Sequence, residues 1–380
     1  MFNKTFILEK KMKILNKVKL ASATESRAKE DLALCNIGGA SVLVWQSGEV
    51  VYKNHFGAAS LDGNTLSCDT LFRMASMTKP VSAVAAMILV DRGLLSLSDT
   101  VDKFYPEFAK MRVFGTDETV EHITVEQLLT HTSGIGSGDT WVESVKTLHA
   151  EDRSSVDSFL AFLSKQPLSF VPWTKQEYSG IGAFSVLTAI IQKISGMNYS
   201  DFLKKEIFEP CKMINTTFSP SAEQWQRLIE MHSKRADKNA VGKTWDGCVF
   251  ETFPPESYLG GAGLISSIDD YLNFAKMLVS RGEFEGERII SEAAVSELSK
   301  PRFNINDVEW WGLGVRVITG DTGSPIPLGA YGWSGAYGTH FWVDTENEII
   351  GIYMKNSRYD GGSGAVTSKN FEIDVYSALE

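Results

Sequence analysis

Two stretches rich in β-formers bracket a long central region whose apolar positions recur at helical spacing. Near the start, Ala40-Ser-Val-Leu-Val-Trp45 and Glu49-Val-Val-Tyr-Lys53 flank Gln46-Ser47-Gly48, and β-branched runs around a glycine-containing turn predict a β-hairpin. From Pro80 to Leu95 the period changes. Val81, Val84, Met87, Ile88 and Leu95 fall on one helical stripe, with Gly93 marking its end. From Ser96 to about Pro254 the signals are mainly helical. Thr124-Val-Glu-Gln127 has the spacing of a capping box, Thr132 to Gly138 is a loop of small residues, and Ile181 to Ile194 is an apolar helix ended by Gly196. Leu259-Gly-Gly-Ala-Gly263 breaks the pattern before a helix through Phe274 and Leu278. Strand patterns then return at Gly314–Ile318, Thr339–Val343 and Ile349–Met354, and the turn Asp344–Glu348 pairs the last two antiparallel. A glycine-rich loop, Asp360 to Gly364, precedes a final helix ending near Leu379.

β-Structure at both ends with helices between predicts one sheet built from both ends of the chain and an interposed helical domain. The length, 380 residues, suits one large domain or two interlocked ones. Lys and Arg total 37 against 47 Asp and Glu, a net charge of −10, so the chain lacks the basic field that nucleic acid requires. Cys35, Cys68, Cys211 and Cys248 form no CxxC pair, which argues against a disulfide framework or a structural zinc site. Met1 to Leu20 carries six lysines and one glutamate, but its longest apolar run is Phe6-Ile7-Leu8. That run is too short for a signal-peptide core, and no stretch elsewhere is long enough to span a bilayer. A helix with a lysine-rich solvent face is expected there, in a cytoplasmic protein.

HExxH, P-loop, GxGxxG and GxSxG signatures are missing. His55, His122, His131, His149, His232 and His340 show no metal-type spacing and read as structural. Phe72-Arg-Met-Ala-Ser76-Met-Thr-Lys79-Pro80 is the exception. A serine and a lysine three residues apart share a helical face, and they open an apolar helix that would bury the lysine. A serine hydroxyl needs a neighbouring base before it attacks, and a buried lysine with a depressed pKa can be that base. The helix N-terminus adds free N–H groups suited to a developing oxyanion.

Leu71 to Pro80 strongly resembles the nucleophile motif of the serine β-lactamase-like superfamily, which spans class C β-lactamases, D,D-peptidases and family VIII carboxylesterases. Gly93-Leu-Leu-Ser-Leu-Ser-Asp99, Leu128-Leu-Thr-His-Thr-Ser-Gly134 and Gly260-Gly-Ala-Gly-Leu-Ile-Ser266 resemble that family's landmarks in its order, so the resemblance covers nearly the whole chain. It implies an α/β fold class: an α+β sandwich with an antiparallel sheet flanked by helices. The sheet domain would comprise 1–75 and 256–380, the mostly helical domain 76–255, and the active site would lie at their interface. By the same resemblance Ser76 is the nucleophile, Lys79 and Tyr178 of Glu177-Tyr-Ser-Gly180 share proton transfer, and the N–H groups of Ser76 and Ala336 form the oxyanion hole. No cofactor and no metal are implied.

Two positions depart from the β-lactamase pattern. Gly180 stands where β-lactamases usually carry an asparagine that contacts the substrate amide. Trp333-Ser334-Gly335 stands where they carry Lys-Thr-Gly, and an indole cannot attract a carboxylate but can wall an uncharged acyl group. Trp-x-Gly resembles the family VIII esterases, with Trp333, Ser334 and Gly335 at the substrate. The expected function is a carboxylesterase for short acyl esters, on a small-molecule ester or amide substrate, with a homo-oligomer left open. The alternatives are a β-lactamase or a D,D-peptidase or D-aminopeptidase-type hydrolase on the same scaffold, and a non-catalytic penicillin-binding module.

Overall fold

The computed structural model describes residues 13–235, 240–243 and 253–380. The first helix, α1 (Lys17–Ala33), is capped by the Asn16 side chain and turns Leu20, Thr24, Ala28 and Asp31 inward, each four or three residues apart. Most of the lysine-rich segment, residues 1–12, and Cys248 lie outside the described residues. The expected hairpin is β1 (Gly39–Gln46) and β2 (Glu49–Gly57), longer than its apolar core suggested. A short strand, β3 (Leu71–Arg73), leads through a 3₁₀ turn at Ala75–Met77 into α2 (Thr78–Asp91). Pro80 falls in the first turn of α2, where a missing N–H costs no helical hydrogen bond. The helix stops at Asp91, with Arg92 as its cap and Gly93 beyond it at a φ of +68°, close to the end that Gly93 marks in the sequence.

In the central region α3 (Val125–Leu129) starts at the Thr124 capping box, with both reciprocal hydrogen bonds formed. After α4 (Val156–Leu163) comes α5 (Gly182–Ser195), ended by Gly196 at a φ of +67°. The region is not wholly helical: Met111–Arg112 pairs with Thr119–Val120, and His232–Arg235 with Ala240–Lys243. Then β4 (Ile265–Ser267) returns to pair with β3 and runs into α6 (Ile268–Val279).

After a small pair, Glu283–Phe284 with Glu287–Arg288, come the strands β5 (Phe303–Asn306), β6 (Glu309–Trp311), β7 (Arg316–Ile318), β8 (Tyr331–Ser334), β9 (His340–Asp344) and β10 (Ile349–Met354), before α7 (Val366–Ser377). With the hairpin they form one antiparallel sheet ordered β5-β6-β7-β8-β9-β10-β1-β2. The first and last portions of the chain therefore meet at the β1–β10 pair, as the two-ended β pattern predicts.

Strand alternation sorts the side chains into two layers. Val42, Val44, Trp342 and Tyr353 point to α1 and α7, whereas Leu43, Trp45, Phe341, Val343 and Ile352 join the core shared with α2, α5 and α6. Each such fully buried side chain contributes about 1.5–3 kcal/mol of burial free energy. That second core continues without a break through α2 and α5, so the helix that carries Lys79 and follows directly on Ser76 is seated between sheet and helices. Among the described residues no helix is long and apolar enough to cross a membrane.

Candidate active site

Ser76 sits in the 3₁₀ turn that follows directly on β3, whose residues are held in register by β4. The turn is fastened on both sides: Met74 N–H donates to Leu264 O at 2.9 Å and Leu264 N–H to Thr78 Oγ1 at 3.1 Å. Ala75 enters the turn with a φ of +46°, a left-handed conformation uncommon for alanine, and it is buried. Ser76 itself is 9% exposed.

Lys79 follows within the first turn of α2 and is fully buried. Its Nζ lies 2.6 Å from Gly180 O, 2.8 Å from Gly261 O and 3.4 Å from Ser76 Oγ. The Tyr178 and Phe184 rings lie against it, with centroids 4.8 and 5.3 Å from Nζ. No carboxylate among the described residues pairs with it, and burial holds its pKa well below the usual lysine range. A neutral amine has two N–H groups and one lone pair. In the neutral form, which burial favours, the two carbonyls can take the N–H groups and the lone pair then faces the Ser76 hydroxyl.

The two glycines that supply those carbonyls explain their own identity only in part. A Cβ on Gly261 would meet Gly180 O at 2.8 Å and Lys79 Nζ at 3.3 Å, so a side chain there would press on both partners. A Cβ on Gly180 would meet nothing within 4 Å and would project into open space.

Tyr178 stands just before α5. Ser179 anchors it: its N–H donates to His131 Nδ1 at 3.1 Å, its hydroxyl donates to Gly136 O at 3.1 Å and accepts from Ala183 N–H at 2.9 Å. The small-residue loop thus seats the tyrosine, and Gly136, at a φ of +58°, lies so close to Gly182 that a Cβ would come 2.9 Å from its Cα. The Tyr178 ring edge is open to the cleft, since 37% of the residue is exposed, but its hydroxyl is enclosed and hydrogen-bonded with Ser76. Burial pushes the phenol up to about 12, against the smaller opposing pull of its hydrogen bonds with Ser76 and Trp333.

Trp333, on β8, donates from Nε1 to Tyr178 Oη at 3.3 Å, and its ring lies 5.5 Å from the tyrosine ring and 4.7 Å from Trp311. Trp311 also stacks 6.0 Å from Tyr178 and 4.5 Å from His131. These rings form one continuous aromatic cluster beside the nucleophile, in which Trp311 and Trp333 are buried and Tyr178 is the exposed member.

The fold brings Ser76 and Lys79, Tyr178, and Trp333 together from three separate segments. Gly335 closes against the nucleophile turn, where a Cβ would lie 2.4 Å from Met74 O, and the exposed Ala336 follows at the loop tip. The hydroxyl of Ser334 does not join them. Adjacent strand residues face opposite sides, and Ser334 Oγ is buried against His340 Nδ1 at 2.8 Å on the α7 side. The expectation that this side chain contacts substrate is corrected accordingly.

Sequence reasoning missed His131 and Trp311. His131 was visible within Leu128–Gly134, but spacing gave no sign that it packs 4.5 Å from the Tyr178 ring, where burial and then Lys79 push its pKa well below the usual histidine value. Trp311 had no signal at all beyond its strand. No group of three or more His, Cys, Asp or Glu residues able to hold a metal occurs among the described residues.

The family described as Beta-lactamase matches residues 25–370. Protein Rv1367c of Mycobacterium tuberculosis is 31% identical over 356 residues, covering 84% of this chain and 87% of its own. Esterase EstB of Burkholderia gladioli is 28% identical over 383 residues, covering 93% and 94%. Among solved structures, EstCE1, a hydrolase with promiscuous acyltransferase activity, superposes with a TM-score of 0.83 at 21% identity, covering 95% of this chain and 99% of that one, which is a likeness of fold.

Proposed function

The chain belongs to the β-lactamase family, a hydrolase fold with esterase relatives, and from that premise we propose that it is a serine carboxylesterase acting on short acyl esters. The observation that carries the serine chemistry is the Lys79 amine, buried with no carboxylate partner among the described residues and 3.4 Å from Ser76 Oγ. The Trp333 indole, which donates to the Tyr178 hydroxyl, supports the ester over a carboxylate-bearing substrate, because it brings no positive charge where a lysine would.

In this reading the Ser76 oxygen attacks the ester carbonyl while its proton passes to Lys79 Nζ. The carbonyl oxygen becomes an oxyanion held by the N–H groups of Ser76 and Ala336. As the tetrahedral intermediate collapses, the C–O bond to the alcohol breaks, the leaving oxygen takes a proton from Tyr178, and Lys79 returns its proton to the phenolate. Water repeats the sequence on the acyl-enzyme and releases the acid. The phenol's raised pKa suits a donor to an alkoxide and makes Tyr178 a poor resting base, so Lys79 is the base. Gly335 contributes close approach at the strand end, and Trp333 the uncharged indole. The site then lies between a sheet domain (1–75 and 256–380) and a mostly helical one (76–255), in a cytoplasmic enzyme that needs neither metal nor cofactor.

The test is a panel of p-nitrophenyl esters, a chromogenic cephalosporin and D-alanyl peptides on purified protein. Ester turnover exceeding cephalosporin turnover supports the proposal. Comparable or greater cephalosporin turnover assigns a β-lactamase, and covalent labelling of Ser76 without turnover assigns a penicillin-binding module.

A further inference from the structure

Behind β8, on the side away from the cleft, four buried polar residues form a chain. Ser334 Oγ lies 2.8 Å from His340 Nδ1, His340 Nε2 lies 2.9 Å from Glu372 Oε1, and Arg316 reaches the same carboxylate at 3.4 Å. All four are at most 3% exposed. The order serine–imidazole–carboxylate is that of a charge-relay triad, yet no substrate can reach a hydroxyl buried between the sheet and α7. Its role must lie in what it holds.

Burial would raise the Glu372 carboxyl, but the hydrogen bond and charge of His340, with Arg316 and the Ser324 hydroxyl, outweigh it and hold the pKa at about 2. The carboxylate is an acceptor, so His340 Nε2 donates to it, while His340 Nδ1 and the Ser334 hydroxyl share the hydrogen bond at the other end of the ring. The chain joins β7, β8, β9 and α7 at one point.

That point is the base of the loop that carries Ala336. Ser334 and His340 are cross-strand partners, the last pair of the β8–β9 ladder before the loop opens. Just beyond them Gly335 N–H donates to Thr339 O at 2.7 Å, and Thr339 Oγ1 donates to Met74 O at 3.0 Å, two residues ahead of Ser76. From outside, Gly362 N–H donates to Gly335 O at 2.9 Å. Ser334 therefore stands between Trp333 on one side and, two residues on, Ala336 on the other.

We infer that His340 is a positioning residue for the reaction at Ser76: through Ser334, and backed by Glu372, it fixes the strand end that aims the Ala336 N–H and the Trp333 indole. This rests on the reading of Ser76 as nucleophile. It differs from a merely structural role because it ties His340 to the rate of bond formation at Ser76 rather than to folding or to substrate affinity.

The experiment compares wild type, Ser334→Ala, His340→Gln and the double variant in three measurements: thermal unfolding, kcat and KM for a p-nitrophenyl ester, and the rate at which an alkyl fluorophosphonate labels Ser76. Losing one oxyanion donor typically costs about 10²–10³ in kcat, so a donor displaced rather than deleted is expected to cost roughly tenfold or more. Each single variant should lose that factor in kcat and in labelling rate, with KM within about twofold, and the double variant should lose no more than the worse single, because both act through one hydrogen bond. A folded Ser334→Ala with wild-type kcat and labelling rate overturns the inference, as does a loss confined to KM. Should His340→Gln fail to fold, Ser334→Ala, which deletes one hydroxyl, decides alone. Failure of the wild type to label at Ser76 would instead overturn the nucleophile assignment, so the two failures are distinguishable.

Discussion

Replacing Lys79 by methionine isolates the protonation state on which the chemistry depends. The side chain keeps its length and loses its titration. In the folded protein burial depresses the amine's pKa, while in the unfolded chain it returns to about 10.4. Between those two values the unfolded chain binds a proton that the folded protein does not. Unfolding then becomes harder as pH rises, by about 1.4 kcal/mol per pH unit from this group alone, until the unfolded lysine also loses its proton. Lys79→Met removes that slope. It also leaves Gly180 O and Gly261 O without their donor, at about 1–3 kcal/mol each, so the absolute stability at one pH mixes two effects of opposite sign. The pH dependence of the difference does not. Urea unfolding of both proteins over a series of pH values below the pKa of the free lysine should show the wild type gaining on the variant as pH rises, by up to about 1.4 kcal/mol per unit, with every other titrating group cancelling. Parallel curves over that range would mean that the lysine is charged in the folded protein, and its assignment as base would fall.

Further expectations follow from the same geometry. Gly261→Ala places a methyl group 2.8 Å from Gly180 O and 3.3 Å from Lys79 Nζ; it should destabilise by about 1–3 kcal/mol and lower kcat roughly tenfold or more, and an unchanged kcat in the folded variant would show that the carbonyl cradle does not set the base. Because the Tyr178 phenol is pushed up to about 12, activity should rise with pH through the Lys79 titration and stay level to about pH 11. Tyr178→Phe should cost alkyl esters about 10²–10⁴ and p-nitrophenyl esters far less, since p-nitrophenolate leaves unaided; equal losses would remove Tyr178 as acid. Trp333→Lys should shift the kcat/KM ratio from a short p-nitrophenyl ester towards a cephalosporin by up to about 1–3 kcal/mol, and a fixed ratio would place Trp333 away from substrate.

Much of the fold was legible because it is written locally. The hairpin around Gly48, the box at Thr124–Gln127 and the stop at Gly196 each depend on a few neighbouring residues. The pairing of β1 with β10 was legible only as a class of solution, two β-rich ends sharing a sheet, because register over some three hundred residues leaves no local trace. Ser76 and Lys79 could be read as a pair from spacing, and Tyr178 from its place in a familiar order. What makes Lys79 a base could not be read. Its acceptors are backbone carbonyls 101 and 182 residues away, and a carbonyl has no sequence signature. The aromatic cluster is hidden for the same reason, since Trp311, Trp333 and Tyr178 meet only in the folded chain. Ser334 differs: period-two alternation already set it opposite Trp333, and only the family's motif drew both to one side.

The central claim is that Ser76 becomes acylated. Brief incubation with a slowly hydrolysed ester, acid quenching and peptide mass mapping would read this directly. An acyl mass on the peptide containing Ser76, absent from Ser76→Ala and from protein left to turn over to completion, is the predicted result. Ester turnover with no mass on Ser76, or turnover by Ser76→Ala above about a hundredth of wild type, would contradict it.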